Sequence, residues 1–410
     1  MLREEVIGAV RNFFDEGVMP EGVNNTLIVL IPKKDKPDEL KDFRPISLCN
    51  VIYKIVSKCL ANRIRPFLQE VISPTQSAFI PGRLITDNAL IAFECVHAIQ
   101  RSNGVRNNFC AYKLDLSKAY DRVDWRSLQG IMQKLGFAEQ WIHWTMSCIT
   151  LVRYSVCFSG VLLDSFAPSR GLRQGDPLSP YLFLFVSEGL SCILNNYVER
   201  QELEEIKICR RAPGVSHLLF ADDSLLFFKA NGQQAEKIKE VIKMFEQCTG
   251  QRINPGKCSV LFGPQCPEDT QREITNCLGI QKTCFEEKYL GLPVPEGRMK
   301  AECFQPTKER LAKRMIGWSE KYMSSGGKEV LIKAVAQAIP TYVMGIFKLP
   351  AGYCEEYMKM IRNFWWGDEP DHRKIHYWIA WEKMMMPKHM GGMGFRDMKL
   401  FNQALLARQA

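Results

Sequence analysis

The chain has 410 residues, with 54 Lys and Arg against 45 Asp and Glu, and 46% of its residues are hydrophobic. This length fits two or three domains, and the composition is that of a globular protein with a large core. It excludes wholesale disorder, collagen-like repeats and a multi-span membrane protein. The net charge of +9 is uneven, because residues 298–410 hold 19 Lys and Arg against 11 Asp and Glu, a net of +8. A nearly neutral body thus precedes a basic module, which indicates a polyanionic partner or simply a soluble surface.

The 15 cysteines lie at irregular spacings with no CxxC pair, which argues against a zinc ribbon and a disulfide scaffold. Most lie in apolar runs, as is typical of reduced thiols. The N-terminus does not have the pattern of a signal peptide. The most apolar window, residues 181–194, is interrupted by Glu188 and is shorter than the roughly 20 residues that a spanning helix needs. We therefore expect an intracellular protein of the nucleus or cytoplasm, neither secreted nor bound to a membrane.

In chain order, hydrophobic periodicity predicts a series of helices and strands before residue 250. Helices are predicted at the start of the chain, over residues 50–65 and 86–100, from Trp125 with Asp124 as its cap, and over 178–198 and 234–248. Strands or hairpins are predicted over residues 26–31, 109–116, 154–161 and 218–228, the last with a four-residue polar turn. This series predicts an α+β layer with helices on one face of an antiparallel sheet.

After a domain boundary that we place near Pro295, the pattern becomes helical and rich in tryptophan. A helix over residues 308–322, capped by Thr307, is predicted to have a core face and an adjacent basic stripe. The core face is Leu311, Met315, Trp318 and Tyr322, and the stripe is Arg310, Arg314 and Lys321. Phe364–Trp366 could stack on bases, although paired tryptophans are more often core. His372 and His376 lack further ligands and are expected at the surface.

Asp222 and Asp223 lie between two apolar runs, at the tip of the last predicted hairpin. Adjacent carboxylates repel each other, and partial burial favours protonation of one of them unless a cation is present. Asp115 would bring a third carboxylate to the same end if its strand is a neighbour in the sheet. Three carboxylates without His or Cys form an all-oxygen donor set suited to Mg²⁺, and two such ions can drive an in-line displacement at phosphorus. The alternative is ordinary turn chemistry.

These acids belong to an ordered series of motifs that resembles the polymerase region of plant non-LTR (long interspersed element) retrotransposons. The series is Leu30–Lys34, Phe43–Ser47, Ser73–Arg83, Asp115–Asp121, Gly171–Pro180, Phe220–Asp223, Tyr289–Pro293 and Gly326–Lys328. The resemblance implies a right-hand polymerase fold. Residues 1–108 would be fingers and an N-terminal extension, 109–297 an antiparallel-sheet palm with fingers insertions, and 298–410 the basic helical thumb.

The resemblance also implies an RNA-directed DNA polymerase that adds dNTPs to a primer 3′-hydroxyl with two Mg²⁺ ions, or with Mn²⁺. Asp115, Asp222 and Asp223 match the metal-binding acids, and the backbone carbonyl of Leu116 would complete the ligand set. Tyr120 matches the aromatic gate that excludes ribonucleotides. Its alternative is a core aromatic. Lys257 matches a lysine proposed to protonate the departing pyrophosphate, with a surface lysine as the alternative.

Further positions match substrate and nucleic-acid contacts of the family. Gln174 and Gly175 match a loop along the incoming nucleotide, for which a plain glycine turn is the alternative. Finger cations that would hold the triphosphate are Arg44 and either Lys33 or Lys34, unless the two lysines are only a solvated charge run. Contacts to the RNA template and the DNA primer would come from Gln76, Arg83, Tyr289, Leu290, Gly291, Arg310, Arg314, Lys321 and Lys328.

Elements of this family usually encode an endonuclease ahead of the polymerase, and this chain contains none. A polymerase fragment, a truncated genomic copy and a retained host gene are the alternatives, and another polypeptide is expected to supply DNA cleavage. Two other functions compete with polymerisation. One is a catalytically inactive or domesticated remnant that binds nucleic acid, against which the intact Asp115, Asp222 and Asp223 argue. The other is a palm-type enzyme that makes cyclic nucleotides, against which the fingers-like and thumb-like flanks argue.

Overall fold

The computed structural model describes residues 2–101, 108–158, 160–283, 288–294, 299–319, 323–367 and 378–409. The chain forms two compact units, residues 1–286 and 287–410. The predicted boundary between palm and thumb at residues 297 and 298 lies outside the described residues, so the three-domain division stays a prediction. Lys321, Tyr322, His372 and His376 also lie outside them.

The first unit alternates helices and strands. Its helices are α1 (Leu2–Glu16), α2 (Val51–Ile64), α3 (Leu68–Val71), α4 (Ile85–Arg101), α5 (Trp125–Lys134), α6 (Glu139–Thr150), α7 (Ser179–Glu199), α8 (Gly232–Thr249) and α9 (Glu268–Leu278). Its strands are β1 (Asn25–Pro32), β2 (Phe43–Cys49), β3 (Phe109–Leu114), β4 (Arg153–Phe158), β5 (Val161–Leu162), β6 (His217–Phe220), β7 (Asp223–Lys229) and β8 (Ser259–Phe262). The predicted α+β class is confirmed, with small shifts at element ends.

The sheet that carries the predicted acids is four-stranded, in the order β6-β7-β3-β8, and every neighbouring pair is antiparallel. Helices α4, α7 and α8 pack against it. Residues 224–228 of β7 are all buried, so both faces of this central strand are covered. This burial explains why β7 is a continuous apolar run rather than an alternating one.

A second four-stranded sheet has the order β2-β1-β4-β5. Its strand β1 pairs antiparallel with β2 and parallel with β4, where Asn25 faces Arg153. The hairpin of β4 and β5 was predicted, but the parallel pairing of β1 with β4 was not. Strand periodicity shows which residues share a face and does not identify a distant partner.

Local capping residues fix several helix starts and ends near these sheets. The side chain of Asn50 accepts a hydrogen bond from the Ile52 N–H (3.0 Å), and that of Asp124 accepts one from the Ser127 N–H (2.8 Å). Gly250 ends α8 with φ of +76°, and a Cβ there would lie 2.9 Å from the Arg122 carbonyl. Only glycine satisfies both conditions, and the chain then turns back toward β3.

The described part of the second unit is helical apart from one small hairpin. Its elements are β9 (Lys288–Tyr289), β10 (Leu292–Pro293), α10 (Gln305–Ser319), α11 (Ser325–Leu331), α12 (Thr341–Met344), α13 (Ala351–Trp366), α14 (Trp381–Met385) and α15 (Met398–Ala407). It has its own hydrophobic core, which includes Leu311, Tyr357 and Trp381. Trp365 packs against this core, which confirms the core interpretation of that residue.

Helix α10 confirms the predicted core face and corrects the predicted start. Leu311 is fully buried, and Met315 and Trp318 pack against the same core. The helix begins at Gln305, so Thr307 lies inside its first turn and is not the cap. In the part of the chain that the structure describes, no helix is both long and apolar enough to cross a bilayer, and every cysteine is a free thiol.

Candidate active site

The register of the antiparallel sheet places the three predicted acids at one end of it. Leu114, the last residue of β3, faces Ser224 of β7. Continued by one residue, this register sets Asp115 opposite Asp223. Phe220 pairs with Asp223 across a two-residue loop of Ala221 and Asp222, so the turn is tighter than the predicted four-residue turn.

This tight loop requires an unusual backbone conformation. Ala221 has φ of +55°, in the left-handed region. Two-residue hairpin loops need a positive φ at their first position, where glycine is the usual residue. An alanine there costs about 1 kcal/mol or more, so the surrounding structure must stabilise it. The backbone N–H of Ala221 donates a hydrogen bond to the Gln76 side chain (3.0 Å).

Residues 252–258 lie along the other edge of the Asp115 segment. The N–H of Asn254 donates to the Asp115 carbonyl (2.9 Å), and the N–H of Ser117 donates to the Arg252 carbonyl (2.7 Å). Because backbone groups alternate sides along a strand, the carbonyl of Leu116 faces away from this segment, on the side of β7. It therefore lies on the same side as Asp223, as its predicted ligand role requires.

The donor set has the chemistry that Mg²⁺ prefers, since it consists of carboxylate and carbonyl oxygens. Cys258 is adjacent, where its sulfur accepts a hydrogen bond from the Asp115 N–H (3.4 Å). Burial raises the pKa of the Cys258 thiol, and a soft sulfur is a poor ligand for a hard cation such as Mg²⁺. The residues at this sheet end therefore fit a hard divalent cation.

The same residues do not form a closed cage. Within the described ranges, no group of three or more His, Cys, Asp and Glu side chains is gathered closely enough to hold a metal ion by itself. Mg²⁺ commonly takes only one or two protein carboxylates and completes its shell with water and substrate phosphates. An open acidic sheet end is compatible with that mode of binding.

Lys257 lies beside this acidic end. Its Nζ is 4.0 Å from Asp115 Oδ2, with the lysine side chain 66% exposed and the Asp115 side chain 36% exposed. The ammonium is thus close to the acids and remains accessible to a ligand. The structure brings Lys257 next to Asp115, and its catalytic role stays a prediction.

Tyr120 is also part of the site. Its ring stacks on Phe183 with centroids 5.1 Å apart and an interplanar angle of 11°. Burial raises the pKa of the Tyr120 hydroxyl, and the negative charge of Asp222 adds to the rise. The backbone carbonyl of Tyr120 accepts a hydrogen bond from the Leu172 N–H (2.8 Å). A fixed ring near Asp222 is compatible with a gate at the sugar.

Gln174 and Gly175 lie on a loop against strand β2. The Gln174 carbonyl accepts a hydrogen bond from the Ser47 N–H (2.8 Å). Gly175 has φ of +109°, and a Cβ there would lie 3.2 Å from the Ser47 carbonyl. The close approach of two backbones therefore requires glycine, while the Gln174 side chain is half-buried and partly accessible.

Sequence reasoning missed the two residues that hold this loop in place, Arg173 and Asp176, each 3% exposed. The Arg173 guanidinium lies 4.0 Å from the centroid of the Tyr53 ring and donates to the Cys148 carbonyl (2.6 Å). Asp176 accepts hydrogen bonds from the hydroxyls of Tyr53 (3.1 Å) and Ser57. The sequence shows charged residues on both sides of Gln174 and Gly175. It contains no local pattern that predicts the burial of their side chains.

The predicted finger cations differ in their partners. The Lys34 ammonium pairs with Asp42 (2.8 Å) and holds the pKa of that carboxyl at about 2. The Lys33 ammonium instead donates to the neutral carbonyl of Lys41 (2.9 Å). Burial raises the pKa of Asp121, and the positive charge of Lys33 is one of the charges that oppose that rise. Lys33 therefore lies close enough to interact with Asp121, the residue that follows Tyr120. Arg44 is exposed on β2, opposite Ile31.

Two predicted nucleic-acid contacts are wrong for side chains, because the structure buries them. Gln76 is 0% exposed and Tyr289 is 3% exposed, so neither side chain is available to a template or primer. In the hairpin of β9 and β10, the backbone of Leu290 and Gly291 forms the tip, with φ of +49° and +77°. The Leu290 carbonyl accepts a hydrogen bond from the Tyr342 hydroxyl (3.1 Å).

Arg83 and Lys328 make internal contacts that compete with nucleic-acid binding. The Arg83 guanidinium donates to the carbonyls of Ile72 (2.9 Å), Ser73 (2.6 Å) and Gln76 (2.6 Å). The Lys328 ammonium donates to the Trp365 carbonyl (3.2 Å). Both cations therefore stabilise local structure, and their nucleic-acid roles stay predictions.

Arg310 and Arg314 are exposed on α10, as a phosphate-contacting stripe requires. Lys313 is exposed on the same helix and adds a further positive charge. Lys321, the third predicted member of the stripe, lies outside the described residues. The described part of this helix thus presents positive charge to solvent while Leu311 faces the core.

An antiparallel sheet with acids at one end, a fingers-like mixed sheet and a following helical unit are the features of a right-hand polymerase fold. Residues 31–294 match the family model described as reverse transcriptase (RNA-dependent DNA polymerase). This match covers more than half of the chain and includes Asp115, Asp222 and Asp223. The chain belongs to the reverse transcriptase family.

Two curated relatives come from mobile elements. The chain is 26% identical over 386 residues, 93% of its length, to the transposon TX1 uncharacterized 149 kDa protein of Xenopus laevis. It is 27% identical over 243 residues, 59% of its length, to the retrovirus-related Pol polyprotein from type-2 retrotransposable element R2DM of Drosophila melanogaster. The chain spans 28% and 22% of the length of these two relatives.

Among solved structures, the chain is similar to apo telomerase from Candida tropicalis. The TM-score is 0.47 at 15% identity, and the likeness covers 88% of this chain and 64% of the telomerase chain.

Proposed function

We propose that the chain is the RNA-directed DNA polymerase of a non-LTR retrotransposon, which adds dNTPs to a DNA primer on an RNA template. The observation that carries this proposal is the register that sets Asp115 opposite Asp223 beside Asp222, inside the segment that matches the reverse transcriptase family. The similarity to the TX1 and R2DM proteins supports a mobile-element origin. The motif series from Leu30 to Lys328 supports a plant host.

The acidic sheet end would hold the divalent cations, two Mg²⁺ or Mn²⁺ ions, through Asp115, Asp222, Asp223 and the Leu116 carbonyl. Bound there, the cations supply activation of the primer 3′-hydroxyl and stabilisation of the departing pyrophosphate. The protein groups bind and orient the other reactants. Tyr120 sits against the sugar and rejects a 2′-hydroxyl, and Lys257 donates a proton to the pyrophosphate.

The loops around the acids hold the incoming nucleotide. Gln174 and Gly175 lie along its base, fixed by the buried Arg173 and Asp176. Arg44 and Lys33 contact the triphosphate. Lys33 is the better candidate of the two lysines, because its ammonium donates a hydrogen bond to a neutral carbonyl, while the Lys34 ammonium is paired with the Asp42 carboxylate.

The RNA template and the DNA primer are held largely through the negative charge of their phosphates. Arg310 and Arg314 would contact phosphates, since both are exposed on a helix of the basic module. We assign the protein to the nucleus or cytoplasm, on the support of its free cysteines.

Primer extension on an RNA template with dNTPs and Mg²⁺ tests this function. The parent protein should extend the primer, and Asp222→Asn/Asp223→Asn should abolish extension while primer-template binding persists. A parent that binds primer-template and makes no product would favour a non-catalytic nucleic-acid-binding protein. Equal product from the double variant would refute the assignment of the acids.

A further inference from the structure

The segment predicted to touch the template instead braces the hairpin that carries Asp222 and Asp223. The N–H of Leu219 donates to the Thr75 carbonyl (2.9 Å), and the N–H of Ser77 donates to the Leu219 carbonyl (3.1 Å). These two bonds form a parallel bridge between Gln76 and Leu219 of β6. Residues 75–77 thus add a short strand-like edge beside the hairpin.

The Gln76 side chain extends this brace to the tip of the hairpin. Its Oε1 accepts hydrogen bonds from the N–H groups of Ala221 (3.0 Å) and Ala78 (3.0 Å). Its Nε2 donates to the hydroxyl of Ser187 on α7 (3.2 Å). Two backbone donors at one end and a hydroxyl acceptor at the other fix the orientation of the amide. Every polar atom of this fully buried side chain is therefore used.

The contact falls on the residue with the least favourable backbone conformation in the hairpin. Ala221 has φ of +55° and directly precedes Asp222. A hydrogen bond from its N–H fixes the peptide plane between Phe220 and Ala221, and so limits the directions in which Asp222 can point. Without Gln76, a backbone N–H in this region would lose its partner, and the strained turn would be free to relax.

We propose that Gln76 is a positioning residue that holds the Ala221–Asp222 turn in the geometry needed for catalysis. The proposal rests on the proposed polymerase function, although its structural part is independent of activity. Gln76 does not touch the substrate. It acts through the backbone of Ala221.

The matched test compares Gln76→Met with Gln234→Met. Gln234 is also a buried glutamine whose amide is used at both ends. Its Oε1 accepts a hydrogen bond from the Glu204 N–H (3.1 Å), and its Nε2 donates one to the Glu202 carbonyl (3.0 Å). It lies on α8, beyond the opposite end of β7 from the acids. Gln76→Met should lower kcat for primer extension roughly tenfold or more, because one buried hydrogen bond is lost. It should also raise the Mg²⁺ concentration that gives the half-maximal rate. Gln234→Met should lower thermal stability about as much as Gln76→Met does, and it should keep the parental kcat.

Rescue separates positioning from general damage. Glycine adopts a positive φ without cost, so Ala221→Gly should recover part of the kcat in the Gln76→Met background. Equal losses of kcat in the two methionine variants, or the parental kcat in Gln76→Met, would overturn the proposal.

Hydrogen exchange of the Ala221 amide gives a readout that does not depend on activity. This amide should be protected in the parent and in Gln234→Met, and should exchange at least about tenfold faster in Gln76→Met. An inactive parent with this pattern would refute the polymerase function and leave the brace intact. Unchanged exchange in Gln76→Met would refute the brace, whatever the activity.

Discussion

Tyr120 is the residue whose position makes the sharpest prediction about substrate choice. Its ring is held by the stack on Phe183, and its hydroxyl lies in the field of Asp222. If the ring excludes a 2′-hydroxyl by contact, Tyr120→Ala should raise ribonucleotide incorporation relative to deoxyribonucleotide incorporation by roughly tenfold to a hundredfold. Tyr120→Phe keeps the ring and should keep the discrimination. Competition between rNTP and dNTP in single-nucleotide addition measures this ratio, and no change in Tyr120→Ala would remove the gate assignment.

Lys33 and Lys34 are adjacent in sequence and differ in their electrostatic partners. Lys33→Ala should raise the KM for dNTP by about tenfold, because a charge-assisted contact to phosphate is lost. Lys34→Ala should change this KM by less than about threefold, since Asp42 already neutralises Lys34. Steady-state kinetics on one primer-template measures both values. The reverse order of effects would transfer the triphosphate contact to Lys34.

At the scale of elements, strand β6 depends on a buried neutral histidine. His217 is 0% exposed, and its Nε2 lies 2.9 Å from the Thr75 hydroxyl and 3.1 Å from the Ser191 hydroxyl. Burial lowers the pKa of His217 from 6.5 to about 4. Below pH 6.5 the unfolded chain therefore binds this proton more readily than the folded chain, and stability falls as the pH falls toward 4.

Between pH 7 and pH 5, this one group should reduce the free energy of unfolding by roughly 2 kcal/mol. Urea unfolding at the two pH values measures the loss. His217→Gln has no proton to gain and serves as the control, so its loss over the same interval should be smaller by that amount. Equal pH dependence in the parent and in His217→Gln would show that His217 is not the titrating group.

The elements and the acids were predictable from sequence because their signals are local. Alternation, helical periodicity and capping residues such as Asp124 are contained within a few residues, and Asp115 and Asp222 stand at the ends of apolar runs. The proximity of Asp115 and Asp222 could not be predicted in the same way, because it depends on the pairing of β3 with β7 in one sheet.

The errors occurred where a role depends on a distant partner. Gln76 lies among Pro, Ser and Gly and has the sequence context of an exposed loop, yet its partner Ala221 is 145 positions away. The burial of Arg173 and Asp176 likewise depends on Tyr53, on a different element. The parallel pair of β1 and β4 has no local signal at all.

At the scale of the whole molecule, positive charge is concentrated in one region. Residues 298–410 carry a net charge of +8 out of a total of +9. Phosphate contacts from this region should make primer-template affinity fall steeply with salt, with a slope of about 0.9 in log affinity per log salt for each contact.

Arg310→Ala/Arg314→Ala should therefore reduce that slope by roughly 1 to 2. Lys237→Ala/Arg272→Ala removes the same charge from exposed ion pairs of the first unit and should leave the slope unchanged. Fluorescence anisotropy of a labelled primer-template over a salt series measures both slopes. Equal slopes in the parent and the α10 variant would exclude the α10 arginines as phosphate contacts.

We propose that the acids at the end of the β3–β7 pair carry nucleotide transfer, and the single-turnover rate of dNTP addition depends on them without a contribution from product release. Asp115→Asn should lower this rate at least about a hundredfold with primer-template binding intact. Asp124→Asn removes one charge from the same region but keeps the N-cap of α5, so it should retain the parental rate. An Asp115→Asn rate within about threefold of the parental rate would show that nucleotide transfer does not need the Asp115 carboxylate.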